Sequence, residues 1–294
     1  MEQKTIFALG FFDGVHLGHQ ALLRECRRLA EQENCRSGAV TFIGHPDTLL
    51  TGKTPPLINT PADRRRLLCR YGMDNLIELP FDRELMTMPW QDFFQLLLGK
   101  GAAGLVCGSD FRFGHRGEGN ADLLRAACEG SGIPCAIVPQ QILEGVRISS
   151  THIRGLLEAG QMETAVRFLG HPHVLTGPVI SGRKLGRTLG IPTANLALPE
   201  GCAVPAFGVY ACKATVDGGE YLAVTNVGTR PTVGGHRVTV EPWLLDFDGD
   251  LYGRELTLEF YKFLRPERKF PSLEELRLEI RKNASETRKF FEKT

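Results

Sequence analysis

The chain of 294 residues carries a net charge of +1, with 42% hydrophobic and 23% charged residues, the make-up of an ordinary globular protein. Such a chain fills one large domain or two of roughly 150 residues, and its charge balance excludes nucleic-acid binding through a broadly basic surface. No apolar run approaches the ~20 residues of a membrane helix.

Ile6–Leu9 reads as a strand, Gly10–His19 (Gly-Phe-Phe-Asp-Gly-Val-His-Leu-Gly-His) as a glycine-bearing turn, and Leu22, Cys26 and Leu29 have helical spacing. His16 and His19, three apart at a helix N-terminus, share a face beside unpaired N–H groups and the positive end of the helix dipole. That place suits phosphate, and the turn (Gly10, Phe12, Asp13, Gly14, His16, His19) is read as a seat for ATP phosphates. A His-x-x-His pair is also a zinc half-site, but no third ligand stands at a plausible spacing. The eight cysteines show no CxxC pair, so reduced thiols in the cytosol are expected. Met1–Thr5 lead directly into the first strand, and no signal peptide is expected.

Further strands are expected at 38–43, 76–79, 104–107 and 135–138, alternating with helices at 62–71, 90–98 and 122–129, with a polar, proline-bearing stretch over 45–61. This alternation predicts an α/β domain whose parallel sheet carries helices on both faces and binds ligands beyond the strands' carboxyl ends. Gly108–Gly114, with Asp110, Phe111 and Arg112, falls at such an end. It reads equally as a loop closing on a flat or phosphorylated ligand and as a structured surface loop. Ser149, Ser150 and Thr151 at the next helix start serve either as caps or, with Arg154 on the same face, as an anion site.

Gly160 and Gly170-His171-Pro172 break the helical pattern, dividing the chain into domains 1–170 and 171–294. Strands at 174–179, 208–216, 221–227, 238–247 and 255–263, then an amphipathic helix from Phe270 with Leu273, Leu276, Ile280 and Ala284 on one face, predict an antiparallel β-barrel with a C-terminal helix. In the loop from Gly182 to Leu196, Gly182, Lys184 and Gly186 suit phosphate, unless the loop is merely basic and flexible. Thr193 and Asn195 offer two oxygen ligands of the kind Mg²⁺ accepts beside ATP phosphates. Glu241 stands in a strand as either a general base or a surface charge. Pro242 removes a ladder donor, which predicts an edge or a bulge in that strand.

Gly-x-Phe-Asp-Gly-x-His-x-Gly-His followed by Ile-Ser-Ser-Thr-x-x-Arg resembles the nucleotidylyltransferase superfamily, in detail the adenylyltransferase half of bacterial bifunctional riboflavin kinase/FAD synthetase. The resemblance implies a Rossmann-like domain in which His16 and His19 polarise ATP phosphates. Ser150, Thr151 and Arg154 would hold the leaving pyrophosphate, and Asp110 and Phe111 would face the flavin. The second half, with Gly-Arg-x-Leu-Gly-x-Pro-Thr-Ala-Asn, Asn226–Thr232, Val240-Glu241, Asp246-Phe247 and Leu251–Gly253, resembles the riboflavin kinase domain. That implies Thr193 and Asn195 on Mg²⁺–ATP and Glu241 as base toward the ribityl 5′-hydroxyl. Riboflavin, FMN, FAD and ATP are then the small-molecule partners, with no nucleic acid and no membrane. Two positions depart from the family pattern: Phe11 where asparagine is usual, and Ile43-Gly44 where Glu-Pro is usual. These departures motivate an alternative, a riboflavin kinase with a weak or altered adenylyltransferase half. Other readings are a flavin-binding regulator without turnover and an unrelated phosphate-binding module.

Overall fold

A computed structural model describes residues 4–180, 191–232 and 235–293. Met1–Pro56 with Arg64–Ser150 form one compact unit, and Leu57–Asp63 with Thr151–Thr294 the other.

In the first unit, strands β1 (Thr5–Leu9), β2 (Arg36–Ile43), β3 (Asn75–Pro80) and β4 (Ala102–Gly108) alternate with helices α1 (Leu17–Gln32), α2 (Pro46–Leu50), α3 (Pro61–Arg70), α4 (Arg83–Thr87) and α5 (Trp90–Gly99). A hairpin of β5 (Arg112–Phe113) and β6 (Gly119–Asn120) follows, then α6 (Ala121–Gly130), β7 (Cys135–Val138) and a second hairpin, β8 (Ile142–Leu143) with β9 (Val146–Arg147). The five longer strands form a sheet in the order β3-β2-β1-β4-β7, parallel throughout. Its central strand is apolar on both faces because both are covered. Ile6 and Ala8 pack with Leu23 and Cys26 of α1 and Leu67 and Leu68 of α3. Phe7 and Leu9 pack with Phe93 and Leu97 of α5 and Leu124 of α6. Each such Leu or Phe contributes about 1.5–3 kcal/mol by burial. The chain runs outward from β1 to β3 and returns to lay β4 on the other side of β1. Strand order therefore reverses between β1 and β4, where ligands enter sheets of this kind.

In the second unit, α7 (Ser150–Glu158), whose first residue Ser150 belongs to the first unit, and α8 (Met162–Leu169) precede strands β10 (His173–Ile180), β11 (Asn195–Leu196), β12 (Gly208–Val216), β13 (Gly219–Thr232), β14 (Gly235–Leu244) and β15 (Glu255–Pro266), and α9 (Leu273–Phe291) follows. The strands form a closed antiparallel barrel in the order β10-β11-β14-β13-β12-β15. Residues 57–63 join this unit through Leu57, bridged to Cys202, and Asp63, whose carboxylate accepts from Thr176 N at 3.2 Å.

Three local expectations are corrected. β14 stops at Leu244 rather than at 247, because Asp246 takes a left-handed φ of 61°. α9 starts at Leu273 rather than Phe270, where the Ser272 hydroxyl accepts from Glu275 N. β14 is neither a free edge nor bulged at Pro242, since its register with β13 runs unbroken through Thr225↔Pro242. The Pro242 carbonyl accepts from Ala194 N on the side of the two-residue β11. A strand residue's N and C=O point the same way, so the missing donor falls there and spares the β13 ladder.

Candidate active sites

The turn after β1 is bent in a way its residue types oppose. Phe12, Gly14 and Val15 have φ of 58°, 81° and 38°, and a β-branched residue at positive φ is strained by about 1–3 kcal/mol. Burial offsets that cost, for Phe12 and Val15 are fully buried in the core above α1. The backbone thus folds tightly around His16, which caps α1 by accepting from His19 N at 3.3 Å through Nδ1. With Nδ1 an acceptor, the proton of a neutral His16 sits on Nε2. The His16 and His19 rings stack at 3.7 Å between centroids and 12° between planes. Gly18 makes room for the stack: a Cβ there would lie 3.1 Å from His16 Cε1 and Nδ1.

His19 is held neutral, well below the ordinary imidazole range, first by burial and then by His16 and the Arg64 guanidinium. Arg64 of α3 is itself buried. It donates to the carbonyls of Phe11 (3.1 Å) and Phe42 (2.8 Å), tying together the ends of β1 and β2. Its burial lowers the guanidinium pKa, which Asp13 and Glu78 partly restore. The Phe11 ring lies under Arg64 at 4.5 Å and edge-on to His45 at 4.7 Å. The backbone of the departing residue, more than its side chain, is therefore what the turn uses.

His16, His19, Gly10, Ser149 and Ser150 line one cavity of about 200 Å³ together with Asp110, Phe111, Gln140, Gln141 and Arg147. It lies between the loops after β1 and β4, at the strand-order reversal. Ser150 opens α7 and its hydroxyl donates to Asp13 O at 2.8 Å, so it braces the turn as well as lining the cavity. Thr151 and Arg154 follow on the same helix, Arg154 one turn after Ser150. Arg147 pairs with Asp110 at 2.5 Å, and Phe111 stacks on Phe113 at 5.5 Å. Phe12, Asp13 and Gly14 are buried behind the turn and shape it from below. Arg112 points outward on β5 and does not line the cavity. Sequence reasoning missed Arg64, one of several arginines in a basic helix, and Arg147, set in a two-residue strand.

The second unit has two adjoining cavities that share Thr193. The larger, about 700 Å³, lies among β12–β14, the segment 267–272 and the first half of α9. Val209, Val224, Trp243, Phe270, Leu276 and Ile280 make its walls apolar, with Asn226 and Glu241 as polar groups. The stripe of Leu273, Leu276 and Ile280 expected on α9 faces this space, and Leu273 stays 69% exposed. Glu241 is directly opposite Asn226 in the β13–β14 register. The smaller cavity, about 220 Å³, is lined by Val179, Pro192, Thr193, Phe247, Asp248, Asp250 and Tyr252. Asn195 follows at the start of β11, opposite Ile180. Gly182, Lys184 and Gly186 lie outside the described residues. Among the described residues no cluster of three His, Cys, Asp or Glu could hold a metal ion. The Thr193 hydroxyl and the Asn195 amide oxygen are donors of the kind Mg²⁺ accepts beside phosphate oxygens, and Asp248 and Asp250 line the same cavity as Thr193.

Comparisons with known proteins match the chain to two family models. The FAD synthetase family matches residues 1–152 and the riboflavin kinase family residues 169–291. The bifunctional riboflavin kinase/FMN adenylyltransferase of Listeria monocytogenes is 34% identical, over 99% of this chain and 93% of that protein. The protein of the same name from Escherichia coli K12 is 36% identical over 99% and 94%. A Streptococcus pneumoniae crystal structure titled as a macrolide-efflux protein shares the fold, with a TM-score of 0.88, 32% identity, and 98% and 95% coverage of the two chains. The chain therefore belongs to the bifunctional riboflavin kinase/FMN adenylyltransferase family.

Proposed function

We propose that the second unit phosphorylates riboflavin to FMN with ATP, and that the first adenylylates FMN to FAD with a second ATP, releasing pyrophosphate. The observation that carries this reading is that each unit pairs a cavity with its own motif. His16, His19 and Ser150 line one cavity, while Thr193 and Glu241 line the other.

In the first unit the FMN phosphate attacks the α-phosphorus of ATP, and the protein supplies position and positive potential rather than a nucleophile. His16 donates from Nε2, His19 from a neutral ring, and the α1 N-terminus adds its N–H groups. Ser149 and Ser150, which line the same cavity as the histidines, receive the leaving pyrophosphate. Asp110 and Phe111 face the flavin, with Arg147 fixing Asp110; the outward Arg112 has no support in this role. In the second unit the apolar walls take the flavin ring system, and Glu241 accepts the 5′-hydroxyl proton as that oxygen attacks the γ-phosphorus, whose bond to the β,γ-bridging oxygen breaks to release ADP. The smaller cavity takes the nucleotide. Thr193 and Asn195 would hold Mg²⁺, which neutralises phosphate charge when bound.

The alternative of a weakened adenylyl half rests on Phe11 and on Ile43-Gly44; for Phe11, the carbonyl-mediated grip of Arg64 and Thr41 argues against it. Efflux is not carried over, because both cavities fit phosphate and flavin chemistry. With eight cysteines and no CxxC pair in the sequence, a reducing compartment such as the cytosol is the setting proposed. Incubating the pure protein with riboflavin and Mg-ATP and resolving products by chromatography tests the reading. FMN followed by FAD is expected, FMN alone supports the weakened half, and no turnover overturns the enzyme reading.

A further inference from the structure

β13 places Asn226 and Gly228 two residues apart, on one face of the strand. Asn226 Nδ2 donates to Glu267 Oε1 at 3.1 Å. A Cβ at Gly228 would overlap the same carboxylate oxygen. The Asn-x-Gly spacing is thus a socket for Glu267, one residue binding the carboxylate and the other leaving space for it. Glu267 begins the segment 267–272 that walls the larger cavity, and that segment is itself braced. Phe270 lies against the guanidinium groups of Arg265 (5.4 Å) and Arg268 (4.8 Å). Both arginines pair with Glu279 of α9, at 3.5 and 2.7 Å.

An ionised carboxylate only accepts hydrogen bonds, so it fixes the NH₂ end of Asn226 toward itself and turns the amide oxygen away. On β14 directly across from Asn226 stands Glu241. The cavity beside Glu241 then presents one acceptor of fixed orientation in addition to the base. A ligand with hydroxyl groups along its chain satisfies that acceptor, and one without them leaves it unpaired.

We propose that Glu267 is a positioning residue that, through Asn226, selects a polyhydroxylated chain on the alcohol to be phosphorylated. This rests on the reading of the Glu241 cavity as the riboflavin site. The test compares riboflavin with 10-(5-hydroxypentyl)-7,8-dimethylisoalloxazine, which keeps the ring system and the terminal hydroxyl but lacks the internal ones. Glu267→Gln, whose amide both donates and accepts, frees Asn226 to turn over. The ratio of kcat/KM for riboflavin to that for the analogue is expected to fall about tenfold, mostly through riboflavin KM, the worth of one hydrogen bond. Asn226→Ala is expected to lose the same selectivity, and the double variant no more than Asn226→Ala alone. Glu267→Asp, whose carboxylate is withdrawn by one methylene from Asn226 Nδ2, is expected to lose the selectivity as well, and a thermal melt of each variant guards against one that fails to fold. Equal losses on both substrates, an unchanged ratio, or additive losses in the double variant would each overturn the proposal. FMN formation surviving in Glu241→Gln would instead overturn the underlying assignment of the cavity.

Discussion

Replacing Gly18 by alanine separates geometry at the adenylyl site from stability. The new Cβ would lie 3.1 Å from His16 Cε1 and Nδ1, against an ordinary carbon contact of about 3.5–4.0 Å. The ring must withdraw by roughly 0.5 Å, out of its 3.7 Å stack with His19, and the 3.3 Å cap to His19 N is lost. Loss of a cap costs about 1 kcal/mol, while exchanging glycine for alanine in a helix returns about the same. Thermal stability should therefore change little. A displacement of about 1 Å at a catalytic group costs ~100-fold, so half of it predicts a fall of roughly tenfold in FAD formation from supplied FMN. The assay is initial-rate FAD formation alongside FMN formation from riboflavin, which should be unaffected, and a thermal melt. A folded Gly18→Ala protein making FAD at the parent rate would show that the His16 position does not matter. Equal loss of both activities would show that the two reactions do not reside in separate units.

Glu241→Gln keeps the shape and removes the base. FMN formation should drop about 10²–10⁴-fold while FAD formation from supplied FMN persists, as measured by product chromatography. His19→Ala should do the reverse, lowering FAD formation about 10²-fold or more with riboflavin phosphorylation retained. His173 in β10 is fully buried, and burial, aided by His171 and opposed by a hydrogen bond with the Ala203 backbone, pushes its pKa down to about 3. The folded pKa lies below the unfolded value of about 6.5, so its stability contribution is complete above pH 6.5 and is lost as pH falls toward 3. At pH 5 the barrel unit should be weaker by about 2 kcal/mol, and His173→Leu should abolish that part of the pH dependence. Urea unfolding at pH 5 and 7.5, read by Trp243 after Trp90→Phe, checks this; an unchanged pH dependence in His173→Leu would refute it.

The longer strands of both units and most of the longer helices were legible because each carries its own periodicity or uninterrupted apolar run, whereas the two-residue strands β5, β6, β8, β9 and β11 carry no such signal. Less visible were features whose partners lie far along the chain. Asp63 reaches Thr176 and Ser150 reaches Asp13 across more than a hundred residues, and nothing local marks either pair. α8 escaped notice because the glycines around it read as a break, although Gly170, in left-handed conformation, is simply its cap. At the adenylyl site the histidine pair and the later serines stand out by spacing. Phe12 and Val15 are residues that sequence reasoning would place last in left-handed backbone. Arg64 is buried among exposed arginines of the same helix, so type and pattern cannot single it out. In the second unit Thr193 and Glu241 announce themselves by motif, whereas Glu267 gains meaning only through its distance to Asn226.

The strained turn after β1 ties the chemistry of the first unit to its interior. Phe12 and Val15 hold an unfavourable backbone only while their side chains stay pressed into a core shared with Leu23, Leu68 and Met73. A trimmed side chain in that core would let the turn relax toward ordinary φ and carry the imidazole pair with it. Such a change touches no ligand, yet would present in kinetics as an active-site lesion. The interior of this unit thus bears on catalysis as well as on stability, and variation there is expected to be read out first in FAD synthesis.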